Sequence, residues 1–166
     1  MENLVGQLHN EKEMIMSREF TENVLKFTQL SGGTIDQFNV RQTSLYIGLQ
    51  LEEMAEKLEA LRGWKNATLV STMHHVANEF KLGSYDDDVN HGDREEMLDA
   101  DIDLAWVTIG SALSQGADVS GAMDEVSRAN LDKFPGGVVT KDTNGKVVKP
   151  AGWVGPDLTK FIKNIY

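Results

Sequence analysis

The sequence predicts an all-α protein, a helical bundle in one domain with a small C-terminal β-hairpin. Three observations carry that expectation. Apolar residues recur at intervals of three and four as far as about residue 134, the period of a helix with one buried face. Glycine pairs and polar runs interrupt this rhythm at a few points only. After Pro135 the character changes to two short β-prone runs around Asn144-Gly145, a hairpin signal.

The first helix is "SREFTENVLKFTQL", with Ser17 as a candidate cap and Phe20, Val24 and Phe27 on one face. "SGGTIDQF" breaks it. A longer helix spans about 40–62, where Ile47, Leu51, Met54, Leu58 and Leu61 form a bundle seam. Gly63-Trp64 interrupts, and "NATLVSTMHHVANEFKLG" gives another helix ending at Gly83. "SYDDDVNHGD" reads as a polar loop. Its glycine comes one position late for a calcium loop, and no acid stands twelfth from Asp86.

A helix from about Asp93 to near Gly116 carries "LDADIDLAW", and Trp106 on it is expected to pack in the core. "DVSGAMDEVSRANLDKF" follows, capped by Asp118 or Ser120 and stopped by "PGG". Residues from about 137 to 166 supply the hairpin and a strap that ends in a short helix. No linker divides the chain, so one domain over 1–166 is expected.

Composition narrows the function. The chain of 166 residues has no cysteine, which excludes disulfides, thiolate zinc sites and cysteine nucleophiles. With 26 acids against 16 bases the net charge is −10. Such a surface repels a phosphate backbone, so nucleic acid is not an expected partner. The N-terminus is unlike a signal peptide, and the longest apolar run is shorter than the ~20 residues that span a bilayer. A cytoplasmic protein without membrane contact is expected.

The acids are the informative feature. Each helical residue turns about 100°, so Asp99 and Asp103 share a face while Asp101 lies nearly opposite. Leu98, Ile102, Ala105 and Ile109 run beside that row, which continues as Trp106 and Gly110. On the 40–62 helix, the row of Leu45 and Leu49 continues as Glu52 and Glu56, with Glu53 beside them. Like charges one turn apart repel, so something should offset them. Two readings are open: ordinary solvated acids, or a carboxylate cluster for Mg²⁺ or Mn²⁺, hard cations that prefer oxygen ligands. The adjacent pair His74-His75 is expected on helix surface.

"LQLEEMAEKLEAL" followed by "DADIDLAWVTIGSALSQGADVSGAMDEVSRANLDKF" resembles the all-α nucleoside triphosphate pyrophosphohydrolases. This is the MazG-like superfamily, which includes phosphoribosyl-ATP pyrophosphohydrolase and dimeric dUTPase-like relatives. Its motif is E-E-x-x-E on one helix and an acid preceding D-L/V on a later one. "EVSRANLDK" and the tail "DTNGKVVKPAGWVGPDL" are similar to the E-V-H-R-S-N-M-x-K and G-K-V-x-K…P-P-D-L segments of one branch. The resemblance covers roughly 20–60 and 95–158. It departs in a longer spacing between Glu56 and Asp99, as if about 62–95 were inserted, in Ser127 where histidine is usual, and in aspartate at 99.

The resemblance implies hydrolysis of a nucleoside triphosphate to the monophosphate and pyrophosphate with Mg²⁺ or Mn²⁺. It implies Glu53, Glu56, Asp99 and Asp103 as metal ligands, and Glu52 or Glu53 as the residue that handles the water. Asn130, Lys133 and Arg128 would face the triphosphate, with Lys146 and Lys149 closing from the tail. A homodimer or homotetramer is implied as well. The alternatives are a non-catalytic bundle that binds nucleotide or metal, and a hydrolase of another nucleotide such as phosphoribosyl-ATP.

Overall fold

The computed structural model describes residues 19–61, 65–143 and 145–162. These residues are mostly helical, and the all-α expectation holds. Helix α1 covers 19–30, followed by α2 (Val40–Glu59), α3 (Ala67–Leu82), α4 (Asp86–His91), α5 (Arg94–Ser114) and α6 (Val119–Leu131). Tight 3-10 turns stand at Pro135–Gly137 and Thr159–Phe161. Ser17 and Trp64 lie outside the described residues. Among the described residues, no helix is long and apolar enough to cross a membrane.

Two compact units form. One holds residues 34–97 and 141–146, the other residues up to 33, 98–140 and 147 onward. Helix α5 is divided between them after Met97.

In the first unit, Asn39 caps α2 by accepting the Gln42 N–H at 3.0 Å. The Gln42 side chain then ties back the preceding loop, accepting from Thr34 N–H and donating to its carbonyl. Asn66 caps α3 in the same way through Leu69 N–H. Helices α2 and α3 pair antiparallel: Arg41 donates to the Phe80 and Lys81 carbonyls at one end, and His74 meets Glu59 at 3.2 Å at the other.

The closest line of that pair is built from small residues. Ser44, Gly48 and Ala55 are the buried residues of α2, facing Val70, Ala77 and Lys81 of α3. A Cβ on Gly48 would stand 2.6 Å from the Ala77 carbonyl oxygen, so only glycine permits this approach. The expected seam is therefore rotated. Ile47, Leu51 and Leu58 are half-buried, and Met54 and Leu61 are exposed. Large residues flank the contact because small ones allow the backbones to close.

The expected polar loop at "SYDDDVNHGD" instead contains α4. Asp86, Asp87 and Asp88 occupy its first turn, where carboxylates favour the positive end of a helix.

In the second unit, Phe27 of α1 meets Phe134 edge-to-face at 5.1 Å between ring centres. Asp118, rather than Ser120, caps α6 through Gly121 N–H. The tail lies along α6 as a strap. Trp153 Nε1–H donates to the Ala129 carbonyl, Asp157 N–H to Glu125, and Asp118 N–H to the Phe161 carbonyl. Gly121 lets Phe161 lie flat on α6, since a Cβ there would meet the ring at 2.5 Å.

Two further expectations fail. The C-terminal β-hairpin forms no strand among the described residues. Asp142 N–H reaches the Lys146 carbonyl and Val148 N–H the Thr140 carbonyl, but the runs stop there. Asp142 Oδ1 accepts the Lys146 N–H, and the exposed Val138, Val139 and Val148 find no sheet face to bury. Asn144 lies outside the described residues.

Trp106, expected in the core, is 76 % exposed. None of the residues of α5 is buried, so its apolar stripe, Leu98, Ile102 and Ile109 included, is bare.

Candidate functional site

The α2–α3 packing delivers the most ordered group of charges. Gly48 sits one turn before Glu52, and the close approach at Gly48 brings the C-terminal turn of α3 against that row. Lys81 Nζ lies 3.0 Å from Glu52 Oε1. The loop 141–146 lies on the same row, with Gly145 against Leu45 and Lys146 Nζ 2.9 Å from Glu52 Oε2. Both carboxylate oxygens of Glu52 are thus engaged by ammonium groups. Burial alone would raise the Glu52 carboxyl, but hydrogen bonds and charge from Lys146 and Lys81 outweigh it and hold it below its ordinary value.

Glu53 and Glu56 are exposed on α2 in the first unit. Asp99 and Asp103 are exposed on α5, one turn apart, in the second. Asp101 is exposed on the opposite side of α5. Among the described residues, no group of three or more His, Asp or Glu side chains is gathered around a possible metal position. Each of these acids offers carboxylate oxygen, the donor type a hard divalent cation takes, and no ion pair within the described residues occupies Glu56, Asp99 or Asp103.

The second unit gathers three of the five residues expected to face phosphate. Lys133 and Lys149 hold their ammonium groups 5.4 and 4.7 Å from the Trp153 ring centre, within cation–π range. Lys133 Nζ also donates to Asn130 Oδ1 at 2.7 Å. Arg128 is differently employed. It pairs with Glu125 at 2.8 Å and Asp132 at 2.7 Å, and the Glu125 hydrogen bonds push its guanidinium further up. In return Arg128, followed by the Asp157 N–H, brings the Glu125 carboxyl down to about 2. Arg128 therefore anchors the strap-bearing face of α6.

Sequence pattern offers Trp153, with Trp64 and Trp106, as a side chain that could stack on a base, and it passes over Lys81 as a binding group. For Lys81 a signal exists: Val70, Ala77 and Lys81 share one row of α3, which places a lysine on its buried face. For Trp153 the signal is only that an indole can stack; its place beside Lys133 and Lys149 depends on how the strap lies on α6.

Compared with known proteins, the chain matches no family model, no curated protein sequence and no solved structure.

Proposed function

We infer that this protein is a metal-dependent nucleoside triphosphate pyrophosphohydrolase: the triphosphate and water give the monophosphate and pyrophosphate. The observation that carries the reading is the meeting of Glu52 and Lys146, 94 residues apart in sequence and 2.9 Å apart in space. The E-E-x-x-E helix and the lysine-bearing tail were assigned to one site on separate motifs, and an active site needs them together.

In this reading Glu53, Glu56, Asp99 and Asp103 hold Mg²⁺ or Mn²⁺. The bound cation supplies charge neutralisation at the phosphate oxygens and acidifies a water. Glu52 or Glu53 orients that water and takes its proton. Lys133 and Lys149 offer ammonium groups to the triphosphate, with Asn130 holding Lys133 in place. Lys146 adds a third cation from the tail. Lysines on a chain of net charge −10 concentrate positive potential where a polyanion must bind.

A homodimer or homotetramer completes the proposal. The bare stripe of α5 supports it, since large exposed apolar patches mark association surfaces. Cytoplasmic control of nucleotide pools, or supply of a monophosphate, is the corresponding role.

A non-catalytic nucleotide- or metal-binding bundle is the second reading. It is favoured by the double engagement of Glu52, which leaves that carboxylate tied to lysines. Incubation with a panel of ribo- and deoxyribonucleoside triphosphates, with and without Mg²⁺ or Mn²⁺, separates the two. Metal-dependent pyrophosphate release is expected from at least one of them. No release from any, or from phosphoribosyl-ATP, would leave the binding reading.

A further inference from the structure

Two cations share one anion in the α2–α3 unit, so the Lys81–Glu52–Lys146 group carries one positive charge in excess. Burial separates the two lysines. The side chain of Lys81 is 10 % exposed and that of Lys146 is 49 % exposed. Lys146 makes the slightly shorter contact, 2.9 Å against 3.0 Å, but Lys81 is the more buried and so the less able to leave Glu52 for water. Its backbone is pinned too: Arg41 donates to the Phe80 and Lys81 carbonyls, and the Lys81 stem lies against Gly48. The surplus charge therefore resides on Lys146, which reaches Glu52 from an exposed loop.

We propose that Lys81 is a positioning residue: by neutralising Glu52 it leaves the Lys146 ammonium with charge to offer an anion of the phosphate class. Without Lys81, Glu52 and Lys146 close into a one-to-one pair, and an arriving phosphate has to break it. With Lys81 in place, Lys146 turns to the phosphate while Glu52 keeps a cation. That the anion is a substrate phosphate rests on the pyrophosphohydrolase reading. The coupling of Lys81 to Lys146 through Glu52 rests on the geometry.

The test is calorimetric binding of inorganic tripolyphosphate to the full chain without metal, so that turnover plays no part. Lys146→Gln and Lys81→Met are each expected to weaken binding by about fivefold or more, the scale of one ion pair. Lys81→Arg should bind within about twofold of the parent, and Lys81→Met/Lys146→Gln no more weakly than the weaker single variant. Glu52→Gln removes the competing carboxylate and should bind at least as tightly as the parent. Glu52→Gln added to Lys81→Met should restore binding to near the parent's, whereas a Lys81 that only packs leaves the double variant as weak as Lys81→Met; Lys81→Gln replaces Lys81→Met in both chains if the latter fails to fold. Tripolyphosphate binding by the parent together with Lys81→Met within about twofold of it, or with weaker binding by Glu52→Gln, overturns the role of Lys81 alone. No binding by the parent overturns it together with the phosphate contact assigned to the tail.

Discussion

Helices α2 and α5 carry acid pairs beside apolar rows, a similar design on paper, and the chain treats them in opposite ways. Helix α2 closes on α3 through Ser44, Gly48 and Ala55, and its half-buried acid is matched by two lysines. Helix α5 is one residue longer and buries nothing. The difference lies in the partner. A row of small residues invites a second backbone to within contact and brings the partner's charges with it. A stripe of Leu98, Ile102 and Ile109 is too bulky for that and stays exposed.

The largest effect should fall on the bare helix. Asp103→Asn keeps size and shape but removes a charged oxygen donor. Pyrophosphate release is expected to fall about 100-fold or more, with the far-ultraviolet dichroism and melting curve unchanged. Full turnover by that variant would remove Asp103 from the ligand set and with it the contrast in function between the two helices.

Trp106→Asp tests what covers α5. A buried interface tryptophan is worth about 2 kcal/mol or more, so the parent should sediment as a dimer or tetramer and the variant as a smaller species. Within one chain Trp106 touches little, so helical content should persist. A parent that sediments as a monomer would show that the stripe has another purpose.

Gly48→Ala makes the matching intrusion on α2. The new methyl group meets the Ala77 carbonyl oxygen at 2.6 Å and Lys81 Cγ at 2.8 Å. The lysine stem can yield, but the carbonyl belongs to the backbone of α3. A loss of about 1–3 kcal/mol is expected from urea denaturation, typical of overpacking. A change within error would mean that the α2–α3 line is looser than its geometry.

These two helices also show what could be read in advance. That "LDADIDLAW" is helical, with Asp99 and Asp103 on one side and Asp101 on the other, follows from a 100° rotation per residue. Periodicity says which face is apolar, not what lies on it, so the exposure of Trp106 was hidden. It also ranks large apolar residues as the core, which is why the seam was placed on Ile47 and Leu51 rather than on Ser44 and Gly48. The lack of a hairpin among the described residues has a similar root. Asn-Gly signals a turn, but a strand needs a neighbour to bury its other residues, and Val138, Val139 and Val148 have none. Of the expected site residues, Glu52 with Lys146, and Asn130 with Lys133, are in direct contact. Periodicity puts Lys81 on the buried face of α3, but that it meets Glu52, and that Trp153 meets Lys133 and Lys149, depends on tertiary closeness.

The smallest expected effect concerns the strap along α6, a third way of treating an acid: half-buried, and held by specific donors. Glu125 accepts from Arg128 and from the Asp157 N–H, which keeps its carboxyl at about 2 instead of 4.5. Asp157 lies below its ordinary value as well, through Thr159. A carboxyl depressed in the folded chain contributes stability above its unfolded pKa and loses it as pH falls through the folded one. The strap should therefore loosen between about pH 4.5 and about pH 2. With Trp64 and Trp106 replaced by phenylalanine, Trp153 emission reports the release, because its indole N–H is bonded to Ala129 inside the strap contact. Glu125→Gln cannot titrate, so its emission should change less across that window than the parent's. Raising salt should narrow the gap, since the exposed Arg128 guanidinium leaves its side of the pair open to screening by mobile ions. Identical titrations for the two chains would show that Glu125 does not hold the strap and that the tail stays on α6 by Trp153 and Phe161 alone.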